Sequence, residues 1–133
     1  MKEVILNDDK LRQEEIDLRK RKVRALIVDD EQRVTLCNYH GIYMLPGGSI
    51  DGFETETNAL VRELREELGI EFEAKDFQPF LRTITMTRDY PKRNNKDTIN
   101  RVCETDYYLI RSNKKINNSK RDLTASEVMV ILE

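Results

Sequence analysis

Apolar and polar residues alternate over several short stretches of this chain, and a period of two is typical of half-buried β-strands. The stretches that we predict as strands are 23–28, 33–37, 43–45, 80–87 and 102–110. A polar turn at 29–32 separates the first two, so we expect them to pair as a β-hairpin. Pro46, Gly47 and Gly48 follow the third strand and should end it.

One longer segment, 55–68, has the periodicity of an α-helix instead. Val61, Leu64 and Leu68 recur at spacings of three and four residues, and Gly69 follows them as a C-terminal stop. Residues at these spacings share one face of a helix. We therefore predict a helix over 55–68 whose apolar face contributes to the core.

The other segments have weaker patterns. Residues 1–20 show little periodicity, and we expect an ill-defined lead-in segment there that contains at most a short helix. Residues 91–97 and 113–121 are polar and predict loops. A chain of 133 residues has the size of one domain, so we predict a single domain over 1–133.

The end of the sequence fits two structures. Thr124 and Glu127 have the spacing of a capping box, which favours a short helix. Residues 128–132 are apolar and equally favour a strand. We expect the chain to end soon after its last strand, with a C-terminal helix that is short or absent.

The composition indicates a soluble cytoplasmic protein. Hydrophobic residues make up 38% and charged residues 36% of the chain, and no apolar run approaches the roughly 20 residues that span a membrane. Cys37 and Cys103 lack the spacing of a zinc site and suggest no disulfide framework. The net charge of −2 argues against general nucleic-acid binding, which usually requires an excess of basic residues.

Basic residues nevertheless gather in three places along the chain. The three groups are Arg19, Lys20, Arg21 and Lys22; Arg88, Lys92, Arg93 and Lys96; and Arg111, Lys114, Lys115, Lys120 and Arg121. Solvated loops and strand edges account for such groups, but so does a rim that attracts phosphate. The sequence leaves both interpretations open.

Three acidic residues share one face of the predicted helix. Glu63, Glu66 and Glu67 occupy positions i, i+3 and i+4, beside the apolar face rather than opposite to it. We expect them at the margin of the core, on a surface that packing does not require. Like charges at this spacing cost a few tenths of a kcal/mol per pair, and a divalent cation would relieve that repulsion. The alternative is a solvated acidic face without chemistry.

A longer pattern favours the chemical interpretation. The chain fits G-x5-E-x7-R-E-U-x-E-E-x-G-U, where U is a bulky aliphatic residue, without a departure from Gly48 to Ile70. The matching residues are Gly48, Glu54, Arg62, Glu63, Leu64, Glu66, Glu67, Gly69 and Ile70. This segment resembles the Nudix box. The resemblance implies an α+β fold of the Nudix type, an α/β/α sandwich with a mixed β-sheet.

The resemblance also implies a metal-dependent hydrolase of a nucleoside diphosphate linked to another group. Glu63, Glu66 and Glu67, with the carbonyl of Gly47, would hold Mg²⁺, with Mn²⁺ as the alternative ion. Glu54 would pair with Arg62 and, together with Gly48, support the site structurally. We expect these roles because the residues occupy the matching positions of the Nudix box.

Glu63 or Glu66 would act as the general base for a water molecule that attacks phosphorus, and either assignment fits the box. A further acid from a later loop is expected, with Asp122 and Glu127 as candidates. Glu127 has the alternative role of a helix cap, as described above.

Substrate specificity is not readable from the sequence. No marker of a particular nucleotide is present, and four tyrosines that could stack on a base are equally suited to packing: Tyr43, Tyr90, Tyr107 and Tyr108. We expect a small nucleotide-type diphosphate as the substrate, and the short C-terminus favours a homodimer or, as the alternative, a partner protein. The alternative function is a non-catalytic Nudix-fold module that binds or senses a nucleotide.

Overall fold

The computed structural model describes residues 1–92, 94, 96–122 and 127–132. Its strands and helix are β1 (Lys2–Leu6), β2 (Leu18–Val28), β3 (Val34–Tyr39), β4 (Ile42–Met44), β5 (Gly47–Ser49), α1 (Glu56–Leu68), β6 (Gln78–Pro91), β7 (Thr98–Arg111) and β8 (Glu127–Leu132). Three short 3₁₀ turns cover Gln13–Glu15, Ala74–Asp76 and Asn118–Lys120. Within the described ranges, α1 is the sole α-helix, and no helix there is long and apolar enough to cross a membrane.

The strands form one mixed sheet in the order β1-β6-β7-β2-β3-β4, with β5 also paired to β2 and β8 to β3. The β1–β6 and β2–β7 pairs are parallel, whereas β6–β7 and the pairs made by β3 are antiparallel. The expected α+β fold with a mixed sheet is therefore confirmed.

The core lies between α1 and one face of the central strand β2. Leu60, Leu64 and Leu68 of α1 are fully buried, and burial of one such side chain contributes about 1.5–3 kcal/mol. The facing residues of β2 recur at every second position: Val23, Ala25 and Ile27. This contact fixes the helix against the centre of the sheet.

Both ends of α1 agree with the predicted helix at 55–68. The Thr55 hydroxyl accepts a 3.2 Å hydrogen bond from the Asn58 backbone amide, as an N-cap residue does. Gly69 ends the helix with a φ of 68°, a left-handed conformation that glycine adopts without strain. The second half of α1, which carries the three glutamates, is thereby fixed in length and position.

Two expectations about strand pairing were wrong. The lead-in segment 1–20 is not ill-defined, because β1 runs parallel to β6 and β2 already begins at Leu18. The predicted hairpin is reduced to one residue pair, Val28 with Val34. β2 instead pairs along its whole length with β7, far away in sequence. Periodicity identified β2, β3 and β7 but not β1, and it contained no information about which strands pair.

Gly47 and Gly48 do not simply end a strand, since with Ser49 they form β5, which pairs with β2.

The structure also decides between the helix and the strand that the sequence allowed near the C-terminus. Residues 127–132 form β8, antiparallel to β3, so the strand interpretation is correct and Glu127 is not a helix cap. Thr124 and Arg93 lie outside the described residues.

Candidate active site

The three glutamates of α1 occupy different environments. Glu67 is almost completely buried, with 2% of its surface exposed, whereas the side chains of Glu63 and Glu66 are 14% and 34% exposed. The expectation that all three lie at the margin of the core is therefore wrong for Glu67. Its position faces β3 and β5, which the helical spacing alone could not show.

The Glu67 carboxylate joins three elements of the fold. Oε1 accepts a 2.6 Å hydrogen bond from the Tyr39 hydroxyl in β3, and Oε2 accepts a 2.9 Å bond from the Gly47 amide in β5. The Cys37 thiol lies 3.9 Å from Oε2. Burial, and then the hydrogen bond to Glu67, raise the pKa of Tyr39, so its phenol remains a protonated donor.

Arg62 is held in place by Glu54 and by the backbone of β5. Its Nε and one terminal nitrogen donate to the two Glu54 carboxylate oxygens at 2.7 and 2.9 Å, a bidentate pair, and that nitrogen also donates to the Ser49 carbonyl at 3.1 Å. The bonds from Arg62, followed by the one from the Asp51 amide, lower the pKa of Glu54. The structure thus brings Glu54 and Arg62 together, as the resemblance implied.

The second terminal nitrogen of Arg62 lies between two carboxylates. It donates to Glu63 at 3.1 Å and to Glu66 at 3.3 Å. Hydrogen bonding to Glu54 raises the pKa of Arg62, so the guanidinium stays charged. Two acidic side chains therefore converge on one positive group, which offsets the repulsion expected from their helical spacing.

The two glycines of β5 permit a close approach of backbone and carboxylate. A Cβ atom on Gly48 would lie 2.5 Å from Oε1 of Glu63. A Cβ atom on Gly47, whose φ is 147°, would lie 2.0 Å from the Val23 carbonyl oxygen. Any larger residue at Gly48 would displace Glu63, and any larger residue at Gly47 would disrupt the pairing of β5 with β2.

The C-terminal end of α1 is capped by residues 117–122, a segment for which the sequence predicted a loop and a candidate acid but no contact with the helix. The Asp122 amide donates to the Glu66 carbonyl at 2.6 Å, the Arg121 side chain to the Glu67 carbonyl at 2.7 Å, and the Asn117 amide to the Leu68 carbonyl at 2.9 Å. These bonds satisfy carbonyls that a helix end leaves open. They also bring the backbone of Asp122, one of the two candidate acids, next to Glu66.

The other candidate acid, Glu127, begins β8, where its backbone lies opposite Tyr39. Because Tyr39 binds Glu67, both candidates belong to segments that adjoin the glutamate-bearing half of α1.

Comparison with known proteins identifies the family. The model of the NUDIX domain matches residues 18–128, from β2 into β8. The chain belongs to the NUDIX domain family. The match covers every element that contributes to the site, including the 117–122 segment. NUDIX membership is thus supported well beyond the box itself.

A curated NUDIX relative is the RNA pyrophosphohydrolase of Ruthia magnifica subsp. Calyptogena magnifica, 33% identical over 107 residues. The alignment covers 76% of this chain and 59% of the relative, so the chain spans about three-fifths of that protein's length.

Solved structures agree with the fold. The MutT protein of Bacillus halodurans superposes with a TM-score of 0.64, covering 84% of this chain and 67% of that chain at 16% identity. The MutT NUDIX hydrolase of Burkholderia pseudomallei has a TM-score of 0.58, covering 85% of this chain and 83% of that chain at 23% identity.

The NUDIX carboxylates have the donor chemistry of a site for a hard divalent cation, since Mg²⁺ and Mn²⁺ prefer oxygen ligands. In the described part of the chain, however, no three acidic, histidine or cysteine side chains converge closely enough to hold an ion. Glu63 and Glu66 converge as a pair on Arg62, and Glu67 is directed towards Gly47 and Tyr39. The donor types fit a metal, and Glu63 and Glu66 are the two that already converge.

Proposed function

We propose that this NUDIX protein hydrolyses a diphosphate linkage in a small nucleotide-type molecule by attack of water on phosphorus. The observation that carries the proposal is the position of Arg62. Glu54 and the Ser49 carbonyl fix its guanidinium, and the guanidinium in turn holds Glu63 and Glu66 together beside the glycines of β5. A solvated acidic face would not require such support.

We assign Glu63, Glu66 and Glu67, with the carbonyl of Gly47, as the ligands of Mg²⁺ or Mn²⁺. A carboxylate offers about four lone-pair positions, so Glu67 can retain its bonds to Tyr39 and Gly47 and still bind a cation. When bound, the metal neutralises the charge of the diphosphate and activates the attacking water.

Tyr39 and Gly47 orient the Glu67 carboxylate before any ligand arrives. Orientation of this kind lowers the reorganisation that binding requires. Glu63 or Glu66 would accept the proton of the attacking water, because these are the two more exposed carboxylates of the cluster. Asp122 and Glu127 remain candidates for a further acid.

The test is a screen of nucleotide-type diphosphates with Mg²⁺ or Mn²⁺, in which phosphate products are measured. Triphosphorylated RNA belongs in the screen because a curated relative is an RNA pyrophosphohydrolase. We expect metal-dependent turnover that excess chelator abolishes and that Glu63→Gln and Glu66→Gln reduce by orders of magnitude. Nucleotide binding without turnover under any of these conditions would favour the alternative, a non-catalytic NUDIX module.

We further propose a cytoplasmic homodimer, with residues 1–133 as a single domain. The strands at the two ends of the strand order support the dimer, because Ile5 and Leu6 of β1 and Ile42 and Tyr43 of β4 are exposed apolar residues. Membership of β1 and β8 in one sheet supports the single domain. Sedimentation equilibrium would test the dimer, and a monomer at all concentrations would exclude it.

A further inference from the structure

A cavity of about 650 Å³ has a strongly basic lining. Its β2 residues alternate with those that pack against α1, so it opens on the face of the sheet opposite to α1. Four cations line it: Lys20, Lys22, Lys92 and Arg101. Lys20 and Lys22 are two residues apart on β2 and so point to the same face of the sheet. Arg101 belongs to the neighbouring strand β7 and is paired in register with Leu18 of β2, which also lines the cavity.

These four cations differ from several arginines elsewhere in the protein. Arg12, Arg21, Arg33, Arg62, Arg82 and Arg88 each lie within ion-pair distance of a carboxylate. In the part of the chain that the structure describes, no ion pair involves any of the four cavity cations, and no acidic residue lines the cavity. Their positive charge is therefore not balanced by the described protein.

The arrangement carries an electrostatic cost in the protein alone. Lys22 is only partly accessible. Its burial is the main cause that lowers the pKa of its amine; the nearby Cys103 raises that pKa, and the cations Arg24, Arg101 and Lys20 lower it. The Arg101 guanidinium lies 3.7 Å from the centre of the Tyr90 ring, so a cation–π contact fixes its position. An anion in the cavity would remove the repulsion among groups that are already in place.

β5 connects this cavity with the glutamate cluster. Ser49 lines the cavity and is paired in register with Lys22, while its carbonyl accepts a hydrogen bond from Arg62. The adjacent Gly48 is the residue against which Glu63 packs. A ligand whose diphosphate lies beside Glu63 and Glu66 could therefore extend past β5 into the basic cavity.

We infer that the substrate carries a second phosphate group, apart from the diphosphate that is cleaved, and that Lys20, Lys22, Lys92 and Arg101 bind it. This inference rests on the proposed function, because it names the class of substrate that the same site accepts. An uncharged base or sugar would leave four cations without a counter-charge. A phosphate on the ribose matches their charge, and Ser49 joins the cavity to Arg62 of the glutamate cluster.

The first experiment measures binding without turnover, in chelator, by titration calorimetry. The probes are the four ribonucleoside 3′,5′-bisphosphates and the matching 5′-monophosphates. We expect at least one bisphosphate to bind at least tenfold more tightly than its monophosphate. Arg101→Gln and the double variant Lys20→Gln/Lys22→Gln should abolish that difference. Equal affinities in the unaltered protein, or a difference that survives in both variants, would overturn the inference.

Arg111→Gln is the matched control, because Arg111 is an exposed arginine at the other end of β7 and does not line the cavity. It should retain the preference for the bisphosphate. Lys22→Met provides a second control against simple unfolding. In a buffer without multivalent anions it should melt at the same or a higher temperature, since it removes a partly buried charge among like charges. A much lower melting temperature would show that Lys22 is structural and would count against the inference.

The second experiment compares turnover of nucleoside 5′-diphosphates with and without a 3′-phosphate. The third substrate is a 5′-triphosphorylated dinucleotide, whose phosphodiester takes the position of the 3′-phosphate. It shows whether the second phosphate is a terminal 3′-phosphate or part of an RNA chain. We expect kcat/KM to be at least tenfold higher for one of the two phosphate-bearing substrates. Equal kcat/KM for all three would overturn the inference and leave the hydrolase intact. Absence of any turnover would count against the proposed function, and the calorimetry would still decide whether the cavity binds phosphate.

Discussion

The hydroxyl of Tyr39 donates a 2.6 Å hydrogen bond to the carboxylate of Glu67, 28 residues further along the chain. The Gly47 amide donates to the other oxygen of the same carboxylate. A glutamate that we assign to metal binding therefore also ties β3 and β5 to α1. Stability and chemistry depend on the same side chain, and the two roles can be separated experimentally.

Tyr39→Phe removes the donor and keeps the ring. We expect the free energy of unfolding to fall by about 1–3 kcal/mol, the range for loss of a partner from a buried charged group. Turnover should fall as well, because the Glu67 carboxylate loses its orientation. Urea unfolding in chelator measures the first effect. Tyr43→Phe is the control, since Tyr43 is exposed and should change stability by less than about 0.5 kcal/mol. Equal behaviour of the two variants would contradict the role given to Tyr39.

Glu67→Gln should destabilise the protein more than Glu66→Gln, whereas both variants should lose turnover. Helical spacing alone predicts that glutamine at either position relieves repulsion and keeps the fold. In the structure, a glutamine at Glu67 cannot accept from both Tyr39 and Gly47, so one buried donor loses its acceptor at a cost of about 1–3 kcal/mol. Glu66, more exposed, should tolerate the change within about 0.5 kcal/mol.

Turnover should fall by orders of magnitude in both glutamine variants, as expected for metal ligands. Thermal melting in chelator and initial rates with the best substrate measure the two quantities. Intact turnover in both variants would remove Glu66 and Glu67 from the metal site.

Glu54→Gln tests the support of Arg62. Glutamine can still accept from the Asp51 amide, but it loses the charge that pairs with Arg62. We expect a modest loss of turnover with metal affinity retained, as measured by titration with Mn²⁺. Loss of Mn²⁺ binding as complete as in Glu67→Gln would make Glu54 a ligand.

The same pair predicts a dependence on pH. The pKa of Glu54 is lowered from its ordinary value of 4.5, so the stabilisation is fully present above that value and is lost as pH falls through the lower folded pKa. The stability of the unaltered protein should therefore approach that of Glu54→Gln as pH falls below 4.5. A stability difference that is constant down to the acid transition would contradict the ion pair.

Gly48→Ala and Gly47→Ala should separate function from folding. The added methyl at Gly48 meets the end of the Glu63 side chain, which can move away, so the fold should survive while turnover falls at least about tenfold. The methyl at Gly47 meets the backbone of β2 and should cost about 3 kcal/mol or more. Melting curves and rates on both variants provide the comparison. Normal turnover in Gly48→Ala would show that Glu63 need not lie against β5.

The sequence predicted those parts of the site that depend on local spacing. The limits of α1 follow from Thr55, Gly69 and the apolar face, and the pairing of Glu54 with Arg62 follows from the box. The limits of α1 depend on residues close in sequence, where helical geometry determines which side chains can meet. The pairing of Glu54 with Arg62 was implied by the resemblance to the box and not by helical spacing.

Contacts between distant segments could not be predicted. Period-two patterns identify strands, but β2 pairs with β7 rather than with its neighbour β3 along most of its length. The burial of Glu67 depends on Tyr39 and Gly47, which reach it only after that sheet has formed. Residues 117–122 carry no periodicity, and their bonds to the end of α1 are made mostly by backbone groups.

Those bonds have a consequence for the order in which the candidate site forms. The helix that bears the glutamates emerges from the ribosome well before Asn117, Arg121 and Asp122, which satisfy its last carbonyls. The neighbouring strand β2 likewise cannot pair until β7 has been synthesised, and pairing between such distant parts of the chain slows folding. A nascent chain that stops before residue 117 can thus contain the whole box and still lack the contacts that complete the glutamate cluster.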